Sequence, residues 1–529
     1  LCVAAAGSLT CSDENCSNSL QWIFEFKMDL HQKYLLAVAC LGTIFLIVGI
    51  SVVIVTPSYV HNAVLDAVLL ENGSDTAKLW ENPPYDMSLQ FWFFNLTNAD
   101  EVALAYAKPM LSEVGPYGFD EHQKKMAVEY HDNGTISYKN FKWFTFNSTK
   151  SCSSCNPNDL ITVPNVPFWT LLHKLRQSGT PVGVKKFISF GLIGLGEGAF
   201  ITRSVDALLF TGYLDILFSM AKAMHWLAPD FDFPDRMGFM YGKNYSYDGP
   251  YLINSGVMNL TQKGTMELFQ RSTSVNYWNS EWANMINGSD GSVYPPFLDR
   301  SQILKLFSPD LCRSLYVRYD SDGMVDKLAT LQFAIPEDAF DDTTSENAGF
   351  CWPTDIYYPK IQIPDGKSGL ACLPPGLLNI SKCQKDAPIV LSFPHFLFTP
   401  EEVQQSVYGM HPDPAQHKTI LEFEPVTGIG ISFRRKLQIN VAAVRDNDFT
   451  SLKKFKSAII PVFWLNESAY LNAETRQALW HRLFLPQKLA YGSAYALISL
   501  GTLIIVLTVS LFVVNTYMRR ELRMESDSV

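Results

Sequence analysis

Only a few stretches of this chain have the residue types and spacing that chemistry would require. Cys152-Ser153-Ser154-Cys155 is a C-x-x-C pair, the spacing of half a zinc site, a redox dithiol or a small local disulfide. No second C-x-x-C and no neighbouring histidine pair completes a zinc site, so the pair reads as a local disulfide or two plain thiols. GLIGLGEG (191–198) has the glycines of a nucleotide loop without the G-x-G-x-x-G spacing, and reads as close packing in an apolar hairpin. Asp320-Ser321-Asp322-Gly323 lacks the third early acidic ligand of a calcium loop and reads as a turn. His395, between Pro394 and Phe396, reads as a hydrogen-bonded structural histidine. G-x-S-x-G, H-E-x-x-H and Walker sequences are absent. The expectation is a binder or conduit with no catalytic residue, cofactor or metal.

The candidate binding residues cluster instead. Phe168 and Trp169 sit beside His173, Lys174 and Arg176, with Lys185 and Lys186 shortly after. With both aromatics exposed, this would be a cationic, partly apolar surface suited to an acidic lipoprotein, a fatty acid or an anionic lipid. An unperturbed His173 would titrate near pH ~6.5. Further along stand Cys312, Cys351, Cys372 and Cys383, an even set that suggests bridges in an oxidising compartment without fixing their connectivity. N-x-[ST] sequons occur at Asn72, Asn95, Asn133, Asn147, Asn244, Asn259, Asn287, Asn379 and Asn466, favouring a glycosylated luminal domain.

Two uncharged apolar runs, 34–55 and 491–514, hold all of this between them. A helix rises ~1.5 Å per residue, so each can cross a hydrocarbon core of roughly 30 Å. Lys27 and Lys33 precede the first run, and Arg519, Arg520 and Arg523 follow the second. Cytoplasmic flanks favour Lys and Arg, so residues 1–33 and 515–529 are expected to be cytoplasmic and 56–490 luminal or extracellular. A cleaved signal peptide fits the first run poorly: it is too long, and no A-x-A site follows. Residues 1–27 are assigned no fold. Met28 starts a natural N-terminal flank, and the stretch before it reads as an alternative exon, a fragment or an over-extended gene model.

Between the runs lies one large domain, without a repeat or a Pro/Gly/Ser linker. Its composition is that of a folded body, and a net charge of −10 without a basic stripe gives no reason to invoke nucleic acid. Residues 89–96, 136–146, 313–319 and 431–441 mix aromatic and branched residues with polar ones and read as strands, with a tight turn at Asp132-Asn133-Gly134. Helices are expected over 168–177, 205–227 and 474–484, with a helical insertion spanning about 166–227. The class is α+β with a mainly antiparallel, barrel-like sheet.

SPDLCRSLY, NAGFC and LNISKC around the cysteines, with EVGPYGF (113–119), NMINGSDG (284–291), SFPHF (392–396), GMHP (409–412), LEFEPVTGIGI (421–431) and PVFWLNES (461–468), resemble the class B scavenger receptor family. The match runs in order from one apolar run to the other. NAGFC, SFPHF and GMHP look closest to the lysosomal integral membrane protein type 2 branch, with the fatty-acid translocase and high-density-lipoprotein receptor branches as near neighbours. The resemblance implies a luminal or extracellular domain with an apical helical bundle and an internal apolar tunnel to the outer leaflet. It also implies disulfides Cys312–Cys383 and Cys351–Cys372. Ala283 and Gly349 stand where some members place a third bridge.

The resemblance further implies binding of lipids or lipoproteins and their conduction to the membrane. The alternative is a lysosomal sorting receptor for a luminal hydrolase such as β-glucocerebrosidase, acting also in lysosomal lipid export. Residence would be the plasma membrane or the lysosomal or endosomal membrane. Three departures stand out. The lysine pair lies about ten residues before the place where the translocase branch has its ligand-capturing lysines. The position of the lysosomal branch's pH-sensing histidine falls nearer Ser178 than His173. The tail RRELRMESDSV has no acidic-dileucine signal, and its end, Asp527-Ser528-Val529, resembles a ligand of PDZ domains, suited to β-augmentation.

Overall fold

The protein was analysed as a computed structural model that describes residues 30–223, 235–352 and 372–526. Residues 1–27 and the terminal Asp527-Ser528-Val529 motif therefore lie outside the described residues. The chain divides into two compact units, Ala67–Arg476 and the terminal segments on either side of it.

In the terminal unit both apolar runs are helical, within Leu30–Ala67 and Leu485–Ser526, so each helix continues past its uncharged stretch. Small residues let the two backbones approach. A Cβ added to Gly49 would lie 2.8 Å from the Ala494 carbonyl oxygen, and one on Gly501 would lie 2.6 Å from that of Gly42. Close approach at small residues is how membrane helices pair when no hydrophobic force separates helix from lipid.

The large unit is built on a 13-stranded antiparallel sheet. Its strands in chain order begin with β1 (Tyr85–Leu96), β2 (Leu111–Tyr130) and β3 (Thr135–Phe146). A separate pair follows, β4 (Leu160–Pro164) and β5 (Phe200–Ser204). The main sheet resumes with β6 (Ser246–Asn254), β7 (Met266–Phe269), β8 (Leu304–Ser308), β9 (Arg313–Val325) and β10 (Leu328–Ala334). β11 (Leu377–Asn379), β12 (Ile389–Ser392), β13 (Ile420–Phe423), β14 (Gly430–Ala443) and β15 (Ala458–Leu471) complete it. The order is β7-β6-β3-β2-β1-β15-β14-β13-β10-β9-β8, with β12 and β11 branching from β14. The edge strands are joined by the NMINGSDG segment: Met266 N–H donates to the Gly288 carbonyl at 2.8 Å, and Phe307 N–H to that of Ser289 at 2.8 Å. A Cβ on Gly288 would lie 2.3 Å from the Lys305 carbonyl carbon, so only glycine lets the sheet come this close to closing.

Each strand expected from sequence lies within β1, β3, β9 or β14, and Asp132-Asn133-Gly134 is the turn between β2 and β3. In β1 the alternation sends Phe91 and Phe93 into the core against Phe463 and Tyr117, where edge-on rings each add roughly 0.5–1.5 kcal/mol beyond burial. On the other face Trp92 stacks on its cross-strand partner Trp464 at 3.8 Å.

Four readings need correction. Asp320–Gly323 lies inside β9, not in a turn; the Glu422, Thr330 and Gln332 side-chain ends crowd the place where a Cβ on Gly323 would sit. The helix expected over 205–227 is interrupted: Val205–Leu209 and Ile216–Ala223 are helical, and Gly212, at φ +64°, falls between them. The insertion is likewise not wholly helical, since β5 lies within it. Finally, a Cβ added to Gly191, Gly194, Gly196 or Gly198 would meet nothing within 4 Å, so close packing does not call for these glycines. They end a helix: Gly196 at φ +73° lets Glu197 N–H return to the Leu192 carbonyl.

Candidate functional site

Two regions of the large unit have the character of a binding site. One is a cavity inside the sheet, the other an exposed helix face.

The cavity has a volume of about 320 Å³. Period-2 alternation builds its walls, with Tyr85 and Met87 from β1, Phe433 from β14, and Ala469 and Leu471 from β15. Leu79 and Trp80 on the helix Asp75–Glu81, with Pro83 and Pro84, continue this apolar side. A second wall is ionic, contrary to the expectation of an apolar interior. Register places Arg435 of β14 opposite Glu467 of β15, and the two form an ion pair. Arg435 also reaches Asp310 at 3.2 Å, and Lys142 reaches buried Glu121 at 3.1 Å. Burial pushes the Glu121 carboxyl up, and Lys142 only partly offsets this. Burial also acts to raise Asp310, but Arg435 and Lys142 outweigh it and hold the carboxyl below its usual range. Asp310 is surrounded by protein yet keeps 56% of its side-chain surface accessible, because it faces the cavity.

Lys125, Lys263, Tyr251, Asp290 and Ser292 also line the cavity. Asp290 accepts from the Tyr138 hydroxyl and from the Ser292 N–H and O–H groups, and its charge acts to raise the Lys125 ammonium against the effect of burial.

The second region is the helical insertion. The helix Val166–Gln177 is capped by the Asn165 side chain, which accepts from Phe168 N–H, and has Pro167 in its first turn. Its aromatics are not exposed. Phe168 and Trp169 are 0% and 2% accessible, and the Trp169 indole donates to the Ala199 carbonyl at 2.9 Å. They anchor the insertion, because a large apolar side chain with a satisfied polar edge gains more from burial than from solvent. The cations beside them are largely neutralised. Lys174 pairs with Asp386 at 3.3 Å, and Lys185 with Asp446 at 3.0 Å and Asp448 at 3.7 Å. Arg176 is half-buried, whereas Lys186 is exposed. His173 does not titrate near its ordinary value: burial, aided by the Arg176 charge, lowers it to about 4.

The next helix, Val182–Gly194, is inside out. Lys185, Ser189 and Leu192 face inward at helical spacing, and Ser189 accepts from Thr450 N–H at 2.9 Å. Phe187 and Phe190 are 80% and 79% accessible, and Val182, Val184, Ile193 and Leu195 are exposed with them. This apolar face was missed in the sequence because its glycines suggested packing. The signal was present: residues 184, 187 and 190 recur every third position, while Lys185 and Ser189 fall on the opposite side.

The cysteines pair as Cys152–Cys155, Cys312–Cys383 and Cys351–Cys372. Asp342 approaches Cys351 and Cys372 closely enough to suggest a metal cluster, but both sulfurs are committed to their disulfide. Ala283 and Gly349 are neighbours; a Cβ on Gly349 would lie 3.0 Å from that of Ala283. His395 is buried, its Nε2 2.8 Å from Glu113 and its Nδ1 accepting from His411 N–H, so three motifs converge on one structural ring. Among the sequons, Asn72, Asn133, Asn259 and Asn287 are exposed. Asn95 is half-buried and accepts from Thr162 N–H. The side-chain amides of Asn147, Asn244, Asn379 and Asn466 instead donate to neighbouring protein oxygens.

A family model described as the CD36 family matches residues 40–512. Lysosome membrane protein 2 of Homo sapiens is 32% identical over 427 residues, covering 79% of this chain and 82% of that protein. The Mus musculus protein of the same name is 32% identical over 444 residues, covering 83% and 87%. Scavenger receptor class B member 1 of Sus scrofa is 27% identical over 471 residues, covering 89% and 87%.

Proposed function

Because this chain belongs to the CD36 family, we propose that it is a membrane receptor that captures lipid or lipoprotein and passes lipid through its large domain to the bilayer. The observation that carries this reading is the cavity of about 320 Å³ inside the sheet. Small-molecule pockets run from roughly 300 to 1,000 Å³, so the space suits part of an acyl chain. The apolar wall of Leu79, Met87, Phe433 and Leu471 would shelter that chain from water, whose contact costs ~0.8 kcal/mol per CH₂. Capture falls to the exposed Phe187 and Phe190, with Lys186 as the adjoining cation, in place of Phe168 and Trp169.

Lys and Arg at the outer flanks of the two long helices support cytoplasmic termini, with the large domain luminal or extracellular. The exposed sequons at Asn72, Asn133, Asn259 and Asn287 favour the same sidedness. The role is that of a binder and conduit; no step in it requires bond-making chemistry.

Filling the cavity tests the reading. Ala469 lies across β1–β15 from Met87 and across β14–β15 from Phe433, so Ala469→Trp puts an indole into the lumen. Transfer of labelled lipid from donor particles into proteoliposomes holding the full chain should be at least halved, with particle binding unchanged. Undiminished transfer in a folded variant would sink the conduit. Acid-reversible capture of a luminal hydrolase without any lipid transfer would replace it with a sorting role.

A further inference from the structure

The chain carries a formal net charge of −10, yet one surface of the large unit gathers cations without matching acids. Its centre is Tyr106, which is exposed. Tyr106 N–H donates to the Lys454 carbonyl at 2.9 Å, and its hydroxyl donates to the Lys453 carbonyl at 3.0 Å. Segments 347 positions apart in the chain are thereby tied together. The Arg445 guanidinium lies 5.4 Å from the Tyr106 ring centre. Two residues on, the Lys108 ammonium sits 3.9 Å from the ring centre of exposed Tyr408. Burial, and after it the Lys456 charge, act to lower Lys108, so Lys456 belongs to the same cluster.

Arg445, Lys453, Lys454 and Lys456 are exposed and Lys108 is half-buried. Among the described residues, none of the five has a carboxylate within ion-pair distance. The acids of the same segment are turned away, because Asp446 and Asp448 pair with Lys185. Asp100 and Glu101, on the adjoining helix Ala99–Leu104, are exposed and reach none of the five. Phe455, inside Lys453-Lys454-Phe455-Lys456, is fully buried and packs on Trp169 at 5.2 Å. The core thus holds the backbone of this segment while its lysines stay in solvent.

We propose that Lys108, Arg445, Lys453, Lys454 and Lys456 form a docking surface for a sulfated glycosaminoglycan, with sulfates on the cations and sugar rings against Tyr106 and Tyr408. Unpaired like charges repel one another, and a polyanion relieves that repulsion. Lysines are flexible point charges, suited to anions spaced along a polymer more than to one planar group. Closely spaced basic residues such as Lys453-Lys454-Phe455-Lys456 are the kind of patch that holds heparin or nucleic acid. The sequons and the flanking charges favour a luminal or extracellular domain, the side on which sulfated polysaccharides occur and nucleic acid does not. A ligand must also approach a chain of net negative charge, which favours a dense polyanion over a singly charged molecule. None of the five cations lines the cavity inside the sheet, so this surface is separate from the lipid path.

The test is binding of a heparin dodecasaccharide to the purified full chain in nanodiscs of phosphatidylcholine alone, read by surface plasmon resonance. Binding should weaken roughly tenfold or more between about 50 and about 200 mM salt, as release of counterions from a polyanion requires. Combining Lys453→Gln, Lys454→Gln and Lys456→Gln should weaken it about tenfold or more at constant salt. The melting temperature should not change, because all three side chains are exposed. Combining Lys124→Gln, Lys139→Gln and Lys305→Gln removes the same charge from exposed positions elsewhere and should leave binding intact. Absence of heparin binding at low salt would overturn the proposal, and so would binding that the first variant retains. Equal binding of fully desulfated heparin, or of polyglutamate of matched length, would overturn the sulfated glycan as the ligand. Capture of phosphatidylserine vesicles through the same lysines, with no binding of heparin, would put an anionic membrane in its place. Each of these failures leaves the lipid conduit standing.

Discussion

Two consecutive helices of the insertion are built from similar materials and meet opposite fates. Val166–Gln177 carries Phe168, Trp169 and Lys174; Val182–Gly194 carries Phe187, Phe190, Lys185 and Lys186. The first buries its aromatics and turns its polar residues toward the boundary. The second buries a lysine and a serine and holds its phenylalanines in solvent. The difference lies in what each helix packs against. Trp169 finds Phe455 at 5.2 Å and the Ala199 carbonyl, an apolar bed with one acceptor. Lys185 finds Asp446 and Asp448, an acidic bed that orients the whole second helix by its polar face. A helix goes in by whichever face its neighbours can satisfy, and the face left over becomes the surface available to a ligand.

Tested by substitution, the largest effect belongs to the buried aromatic. Trp169→Ala removes a fully enclosed ring and leaves a cavity, so it should destabilise the domain by about 3–5 kcal/mol, read from chemical denaturation or a fall in melting temperature. A cost near zero would mean that Trp169 belongs on the capture surface after all.

A smaller effect attaches to His173. Its folded pKa of about 4 lies below the ordinary ~6.5, so the neutral ring is the form the fold accepts. The stability it contributes is present in full above pH ~6.5 and is lost as pH falls toward 4, on the order of 1–3 kcal/mol. Asp215 and Asp342, each raised to about 6 by burial, oppose this by preferring their protonated forms in the same window. His173→Gln leaves both aspartates in place. The wild type should therefore lose more melting temperature between pH 7.5 and 5 than this variant does, and parallel losses would contradict a buried neutral imidazole.

The smallest effect on stability, and the sharpest on function, belongs to the exposed helix. Combining Phe187→Ser with Phe190→Ser should change stability by no more than about 0.5 kcal/mol, because neither ring is enclosed. The same substitutions should reduce binding of donor lipid particles severalfold, measured by surface plasmon resonance. Unaltered particle binding would remove this face from the capture role.

Much of the architecture was legible because it depends on local pattern. Period-2 alternation of aromatic and branched residues marked β1, β3 and β14, and the length of the apolar runs marked the two terminal helices. The second half of β2 was not legible as a strand, because its inward positions there include Glu121, Gln123 and Lys125. A strand whose buried side is charged shows no hydrophobic alternation, and that charged side is the ionic part of the cavity wall. The capture residues were misassigned for a related reason. Residue type marked Phe168 and Trp169 as apolar and Lys174 and Lys185 as charged, but exposure and neutralisation depend on partners elsewhere.

What the sequence determines by itself is set by neighbours along the chain: two membrane-length helices, many strands, the family motifs, and cysteines even in number. What only the tertiary structure decides is set by distance through space. Asp446, which neutralises Lys185, lies 261 positions away in the chain, and Glu422, which crowds Gly323, accepts from Thr330 across a separation of 92. Burial and charge pairing are properties of such contacts. For that reason the roles of Trp169, Lys185 and Phe187 became readable only once the fold had brought distant segments together.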